Sequence, residues 1–207
     1  MPGIAVDYDP SLTIEVPRDG ALGEQHPGWA ATELERIAAH ESGLLDSPEA
    51  ATAWLEHVRT DVAPTATYTL AVRSPDAPAL AVLRFDVLDE PLDEPAQRRV
   101  LEPPATLPPR HDVLELPGLG ACIRMQVLAE RQGQPYSLVQ WLAVRPGGSV
   151  VATLGPLPAN GIEAFRPYAE AVVATARPAG LDHDGTPWQE QPSLLVTVAP
   201  PVERWQA

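Results

Sequence analysis

The chain has 207 residues, of which 44% are apolar, and a formal net charge of -14 at pH 7. This length and apolar fraction are typical of a globular domain with a substantial core, so we predict a folded protein despite its 25 prolines. The acidic charge, without a local basic stripe, disfavours nucleic acid and anionic membranes as partners. The absence of lysine excludes pyridoxal phosphate Schiff bases and P-loop chemistry.

The N-terminal third predicts one short strand and two helices. Loose apolar alternation favours a strand within residues 4–16, and apolar residues at helical spacing predict a helix over residues 29–40. Ser47 is a typical N-cap residue and Pro48 suits a first helical turn, so a second helix is expected to begin there. Pro64 is expected to end it.

Two β-branched, alternating runs follow, over residues 67–73 and 80–87, with a turn-like composition between them that predicts a hairpin. The proline-rich, charged stretch over residues 89–110 lacks a sustained period. We predict an exposed connection there, with at most a short helix around residues 96–101.

The strongest strand pattern lies in the second half of the chain. Residues 122–128, 137–144 and 149–154 are apolar runs separated by glycine-bearing turns, which predicts a three-stranded meander. The spacing of Asn160 and Glu163 is typical of a capping box at the start of a third helix.

The chain therefore reads as an α+β protein: an antiparallel β-sheet meander with N-terminal helices and a closing helix packed on the sheet. We predict a single domain over residues 1–180. Residues 181–207 would form a proline-rich extension, in which the apolar run over residues 193–198 is consistent with an edge strand.

The element order from Cys122 through Arg177, with the loop Gly155-Pro156-Leu157-Pro158 before the closing helix, resembles the end of Mog1/PsbP-like proteins. Actinobacterial members include lipoproteins and proteins of unknown function. The resemblance covers about half the chain and implies a non-enzymatic scaffold with adaptor or assembly roles.

Exclusive use of arginine with abundant alanine, proline and glycine is typical of a high-GC genome, and it predicts a bacterial, actinobacterium-like source.

We predict a cytoplasmic location. Cys122 is the single cysteine, so no disulfide framework can form within the chain. The N-terminus lacks the basic start and apolar stretch of a secretion signal and the acylated cysteine of the lipoprotein members, which argues against a cell-surface role. No run approaches the ~20 apolar residues of a membrane span.

No residue pattern predicts catalysis, a metal site or a cofactor. His183 lies between Asp182 and Asp184 and can bind a metal or orient a base, but adjacent side chains point apart and a solvated loop is favoured. Cys122 begins an apolar strand with no identifiable histidine partner, which favours a core thiol over a nucleophile.

Two features are candidates for partner contact. Trp188 and Trp205 lie in proline-rich surroundings, where they either staple the C-terminal segment to the domain or anchor a partner. An acidic run can attract an arginine-rich partner, although a solvated loop is the default interpretation. Its members proposed for contact are Asp89, Glu90, Asp93 and Glu94.

The leading prediction is a non-catalytic binding or adaptor protein that acts through protein–protein contacts. The alternative is a small-molecule-binding or enzymatic domain whose site is assembled only by the fold, with His111 or His183 near carboxylates. A homodimer built by pairing an exposed strand is a further alternative.

Overall fold

The computed structural model describes residues 3–18, 28–38, 47–179 and 185–198. In these ranges the chain forms a seven-stranded antiparallel sheet, a two-stranded sheet and four α-helices, which confirms the α+β prediction. The helices are α1 Trp29–Ala38, α2 Pro48–His57, α3 Glu94–Leu101 and α4 Ile162–Ala174. The strands are β1 Gly3–Ala5, β2 Thr13–Glu15, β3 Tyr68–Ser74, β4 Ala77–Leu88, β5 Arg110–Leu116, β6 Gly120–Arg131, β7 Gln134–Arg145, β8 Gly148–Pro158 and β9 Arg177–Ala179.

Helix α2 begins as its sequence predicts but does not end at Pro64. The Ser47 side chain caps it by accepting a backbone N–H at 3.2 Å, and Pro48 occupies the first turn. After His57 the chain continues as a π-helical turn over Val58–Val62 and a 3-10 turn over Ala63–Thr65. Pro64 is accommodated near the start of that last turn, where the missing N–H is not needed.

The predicted hairpin and meander are both present and form one sheet. The strand order is β2-β3-β4-β8-β7-β6-β5, so β8 joins the meander to the hairpin by pairing with β4. The short strands β1 and β9 form a separate ladder in which Ile4 lies opposite Pro178. The prediction of a strand within residues 4–16 is thus resolved into two short strands in different sheets.

Strand β5 is an addition to the predicted elements. It occupies Arg110–Leu116, which begins at the last residue of the predicted connection and continues into a stretch for which no element was predicted. The predicted short helix also begins earlier than expected, at Glu94, with Asp93 as its N-cap. Prolines and charged residues flank β5 and obscure its alternating pattern in the sequence. The pairing with β6 shows that the segment is a strand.

The sheet has a hydrophobic cluster on each face because strand residues alternate between faces. Phe85, Trp141 and Cys122 lie on the face that α4 covers. They form one cluster with Phe165 of that helix. On the opposite face α1 and α2 cover β2, β3 and β4, and α3 lies with the buried residues of β6, β7 and β8.

The predicted capping box of the third helix does not form. Helix α4 begins at Ile162 after Gly161, which provides no side-chain cap, and the Glu163 carboxylate pairs with Arg166 instead of the backbone. Pro167 lies inside the helix. A proline removes one backbone hydrogen bond there, and the packing of α4 on the sheet compensates for that loss.

Residues 185–198, which we call the C-terminal strap, do not include the predicted edge strand. The backbone N–H of Leu194 donates to the carbonyl of Val144 at 3.0 Å, but no strand ladder continues within the described residues. The side chain of Gln97 instead bonds the strap at Leu194 and Val196, at 2.9 and 2.8 Å. A side-chain amide thus takes the place of a neighbouring strand.

Candidate interaction surface

The outer edge of β5 is the candidate interaction surface. Its seven residues pair with β6 from Arg110 opposite Gln126 to Leu116 opposite Gly120. In the part of the chain that the structure describes, no strand lies on the other side of β5. An edge strand has backbone N–H and C=O groups available to another strand.

Val113, at the centre of β5, is the most exposed large hydrophobic residue described. It is 78% exposed, against 51% for Leu107 and 45% for Leu194. His111 and Glu115 lie on the same face because strand residues two apart point the same way. Edge strands are commonly protected by charge or proline, so an exposed valine at this position leaves the edge open to pairing.

The opposite face of β5 is held by a cluster around Arg124. Its guanidinium donates to Asp112 at 2.8 Å and to both carboxylate oxygens of Glu170 on α4, at 2.9 and 3.0 Å. The hydrogen bond from Arg124 lowers the pKa of Asp112. The edge strand is thereby fixed to the helix behind it, which presents its outer side as a preformed surface.

His111 fixes the same strand to α3. Its Nε2–H donates to the carbonyl of Leu101 at 2.7 Å, because a carbonyl oxygen can only accept. The alternative prediction placed His111 or His183 near carboxylates, and Nε2 of His111 contacts a backbone carbonyl instead. His183 lies outside the described residues.

Replacing Arg124 should lower the stability of the folded protein by an amount that depends on pH. We expect Arg124→Met to lower the free energy of unfolding at pH 7 by about 1–2 kcal/mol, because hydrogen bonds to charged groups are lost but water reaches both carboxylates. Since the pKa of Asp112 is lowered on folding, its contribution is present above its ordinary value of 3.8 and is lost as the pH falls through the lower value in the folded state. Urea unfolding at several pH values measures this.

The control for that prediction is Arg110→Met. Arg110 is 74% exposed and approaches Asp112 only to 3.7 Å, so this variant should change stability by less than about 1 kcal/mol. A pH-independent loss for Arg124→Met would contradict the role of its ion pairs and indicate lost packing.

The acidic residues proposed for partner contact are partly engaged within the chain. Asp93 caps α3 by accepting the Ala96 N–H at 2.8 Å, and Glu94 pairs with Arg98 at 3.0 Å. Asp89 and Glu90 lie exposed between β4 and α3. A contact role for these four acidic residues stays a prediction.

Trp188 is only 3% exposed and packs into the core cluster that faces α4. It therefore staples the strap to the domain, the first of the two roles considered for it. A direct contact between its side chain and a partner is inconsistent with this burial. Trp205 lies outside the described residues.

Cys122 is fully buried, and burial raises the pKa of its thiol to about 12. It has the properties expected of a core thiol, since a nucleophile needs an accessible thiolate. The described ranges contain no group of three or more histidine, cysteine or acidic residues placed to hold a metal. No helix among those ranges has the length and apolar character needed to cross a bilayer.

Open clefts also lie elsewhere on the described surface. One of about 340 Å³ lies beside the start of α2, one of about 470 Å³ lies at the β2 edge, and one of about 550 Å³ lies at the β6–β7 hairpin. The cleft at the β2 edge is lined by charged and aromatic side chains, among them Glu15, Trp29 and Tyr68. These residues are far apart in the sequence, so their proximity could not be predicted from it.

Comparison with known proteins gives one finding about overall structure. No protein-family model matches the chain, and no curated protein matches it. Among solved structures the chain is similar to LpqN, described as involved in cell envelope biogenesis of Mycobacterium tuberculosis, with 10% identity and a TM-score of 0.42. The likeness covers 86% of this chain and 84% of LpqN.

The predicted cytoplasmic location is corrected by this finding, because the process named for LpqN belongs to the cell envelope. The prediction rested partly on cysteine usage. Since Cys122 is buried and alone, it forms no internal disulfide in any compartment and carries no information about location. The finding is a distant structural likeness to an actinobacterial protein.

Proposed function

We propose that this chain is a non-catalytic binding protein that acts through protein–protein contacts, and that β5 accepts an extended segment of a partner as an eighth strand. The observation that supports it best is Val113, 78% exposed at the centre of an open sheet edge. Strand addition supplies backbone hydrogen bonds for affinity and side-chain contacts for specificity. A Mog1/PsbP-like scaffold with an adaptor role forms part of the same proposal.

The side chains of β5 define the chemistry of the partner segment. An apolar residue of the segment would cover Val113, and a basic residue would face Glu115, an exposed carboxylate that makes no ion pair among the described residues. The net charge of -14 would attract such a segment and speed its association at low ionic strength. We therefore propose an extended, basic peptide segment as the partner.

A library of displayed peptides tests this proposal. Selection on the full chain should enrich extended peptides with alternating apolar and basic residues, and Val113→Glu should abolish their binding. Glu115→Lys should shift the enriched sequences from basic towards acidic at the position that faces residue 115. The matched control is Leu107→Glu, which alters a residue 51% exposed outside β5 and should leave selection unchanged.

Failure to enrich peptides, or equal enrichment on Val113→Glu, would reject strand addition at β5. A second copy of the chain is the competing occupant of the edge. Light scattering that shows a dimer at micromolar concentration, dissociated by Val113→Glu, would assign the edge to self-association and overturn the peptide proposal.

A further inference from the structure

The cleft at the β2 edge contains a carboxylate that a phenol orients. Tyr8 donates its hydroxyl hydrogen to Glu15 Oε2 at 3.1 Å, and Tyr68 lines the same cleft. Burial and the nearby Glu15 charge raise the pKa of both phenols, so they remain protonated donors. The carboxylate of Glu15, an exposed residue of β2, is thus held in place by this hydrogen bond.

This carboxylate has no cationic partner among the described residues. Arg36, the nearby cation on α1, pairs with Glu33 at 2.7 Å and donates to the backbone carbonyls of Pro10 and Thr13. The cleft is also bordered by Arg18, which makes no ion pair with Glu15. An oriented anion without a counter-ion is a site that a cation can complete.

The surrounding surface favours an organic cation over a metal ion. Trp29 and Tyr68 supply aromatic walls, and aromatic faces attract ammonium groups. Calcium needs six to eight oxygen ligands, more than one carboxylate with hydroxyl neighbours offers. The volume of about 470 Å³ is within the range of small-molecule sites.

We propose that this cleft binds a small alkylammonium ligand, with Glu15 as the counter-ion and Trp29 and Tyr68 as the aromatic walls. The site is separate from β5, so its occupancy does not depend on the proposed partner. The acidic charge of the whole chain would also raise the local concentration of such a cation.

Choline is the probe, and 3,3-dimethyl-1-butanol is its uncharged counterpart of nearly the same shape. The readout is the indole N–H resonance of Trp29 in NMR titrations of the full chain, assigned by comparison with Trp29→Phe. We expect a saturable shift with millimolar choline and none with the alcohol. Binding should weaken as salt is added, because the contact is electrostatic and only partly shielded from water.

Glu15→Gln preserves the shape of the side chain and its acceptor for Tyr8 while removing the charge, and it should weaken choline binding about tenfold. Glu130→Gln changes an exposed carboxylate at the far end of β6 and is the matched control, expected to bind as the wild type does. Arg18→Ala should tighten binding, since it removes a like charge from the cleft rim.

Three results would each overturn the proposal: no saturable shift with choline, equal shifts with the neutral alcohol, or equal affinity in Glu15→Gln and the wild type. Near-UV circular dichroism identifies the folded state of each variant before titration. Weaker choline binding in Arg18→Ala would also contradict the proposal, because the loss of a like charge beside the cleft should favour a cation.

Discussion

Replacing Trp188 by alanine is expected to lower the free energy of unfolding by about 3–5 kcal/mol, the largest effect of any substitution considered. Trp188 begins a 3-10 turn over Trp188–Glu190 and is 3% exposed within the core that faces α4. Its removal leaves a large cavity and detaches the strap from the sheet. Urea unfolding followed by circular dichroism measures the loss.

Leu194→Ala is the control on the same segment. Leu194 is 45% exposed, so shortening its side chain should cost less than about 1 kcal/mol. A loss of similar size for both variants would mean that any change in the strap is destabilising. A loss below about 1 kcal/mol for Trp188→Ala would show that the strap is not part of the cooperatively folded unit.

Gln97→Ala is expected to lower the free energy of unfolding by about 3 kcal/mol, because it removes three partly buried hydrogen bonds at once. The Gln97 amide nitrogen donates to the carbonyls of Leu92 and Leu194 at 2.8 and 2.9 Å. Its oxygen accepts the Val196 N–H at 2.8 Å. All three bonds are lost together, and the second half of the strap should open.

Hydrogen exchange of the Val196 amide distinguishes this opening from general destabilisation. We expect its protection to fall more in Gln97→Ala than that of amides in β7. Arg99→Ala, an exposed change on the same helix, should leave both the stability and the exchange nearly unchanged. Unchanged protection of Val196 in Gln97→Ala would show that the strap is held without this side chain.

The helices with local signals were predictable to within a few residues. Helix α2 has a side-chain cap and a first-turn proline next to each other in sequence, and α1 shows its apolar spacing over Trp29–Ala38. The capping of α4 was predicted wrongly, because Asn160 and Glu163 satisfy the spacing of a capping box without making its bonds. Spacing shows that a contact is allowed, whereas competing partners such as Arg166 decide whether it forms.

The candidate sites could not be read from residue patterns. Val113 lies in a charged, proline-flanked stretch, and its exposure follows from the position of β5 at the end of the sheet. Glu15 and Tyr68 are separated in sequence by two helices, yet both line one cleft where β2 pairs with β3. Trp188 offered two interpretations, and only its depth in the core distinguishes them.

The sequence by itself determined the α+β class, most of the strands, the starts of α1 and α2 and the acidic character, since these depend on composition and on contacts between near neighbours. Tertiary structure alone decided the pairing of β8 with β4, the open edge at β5 and the replacement of an edge strand by the Gln97 amide. These features depend on pairing between residues far apart in the chain. Local periodicity does not indicate which distant strand becomes a neighbour. It therefore does not indicate which edge of the sheet remains unpaired.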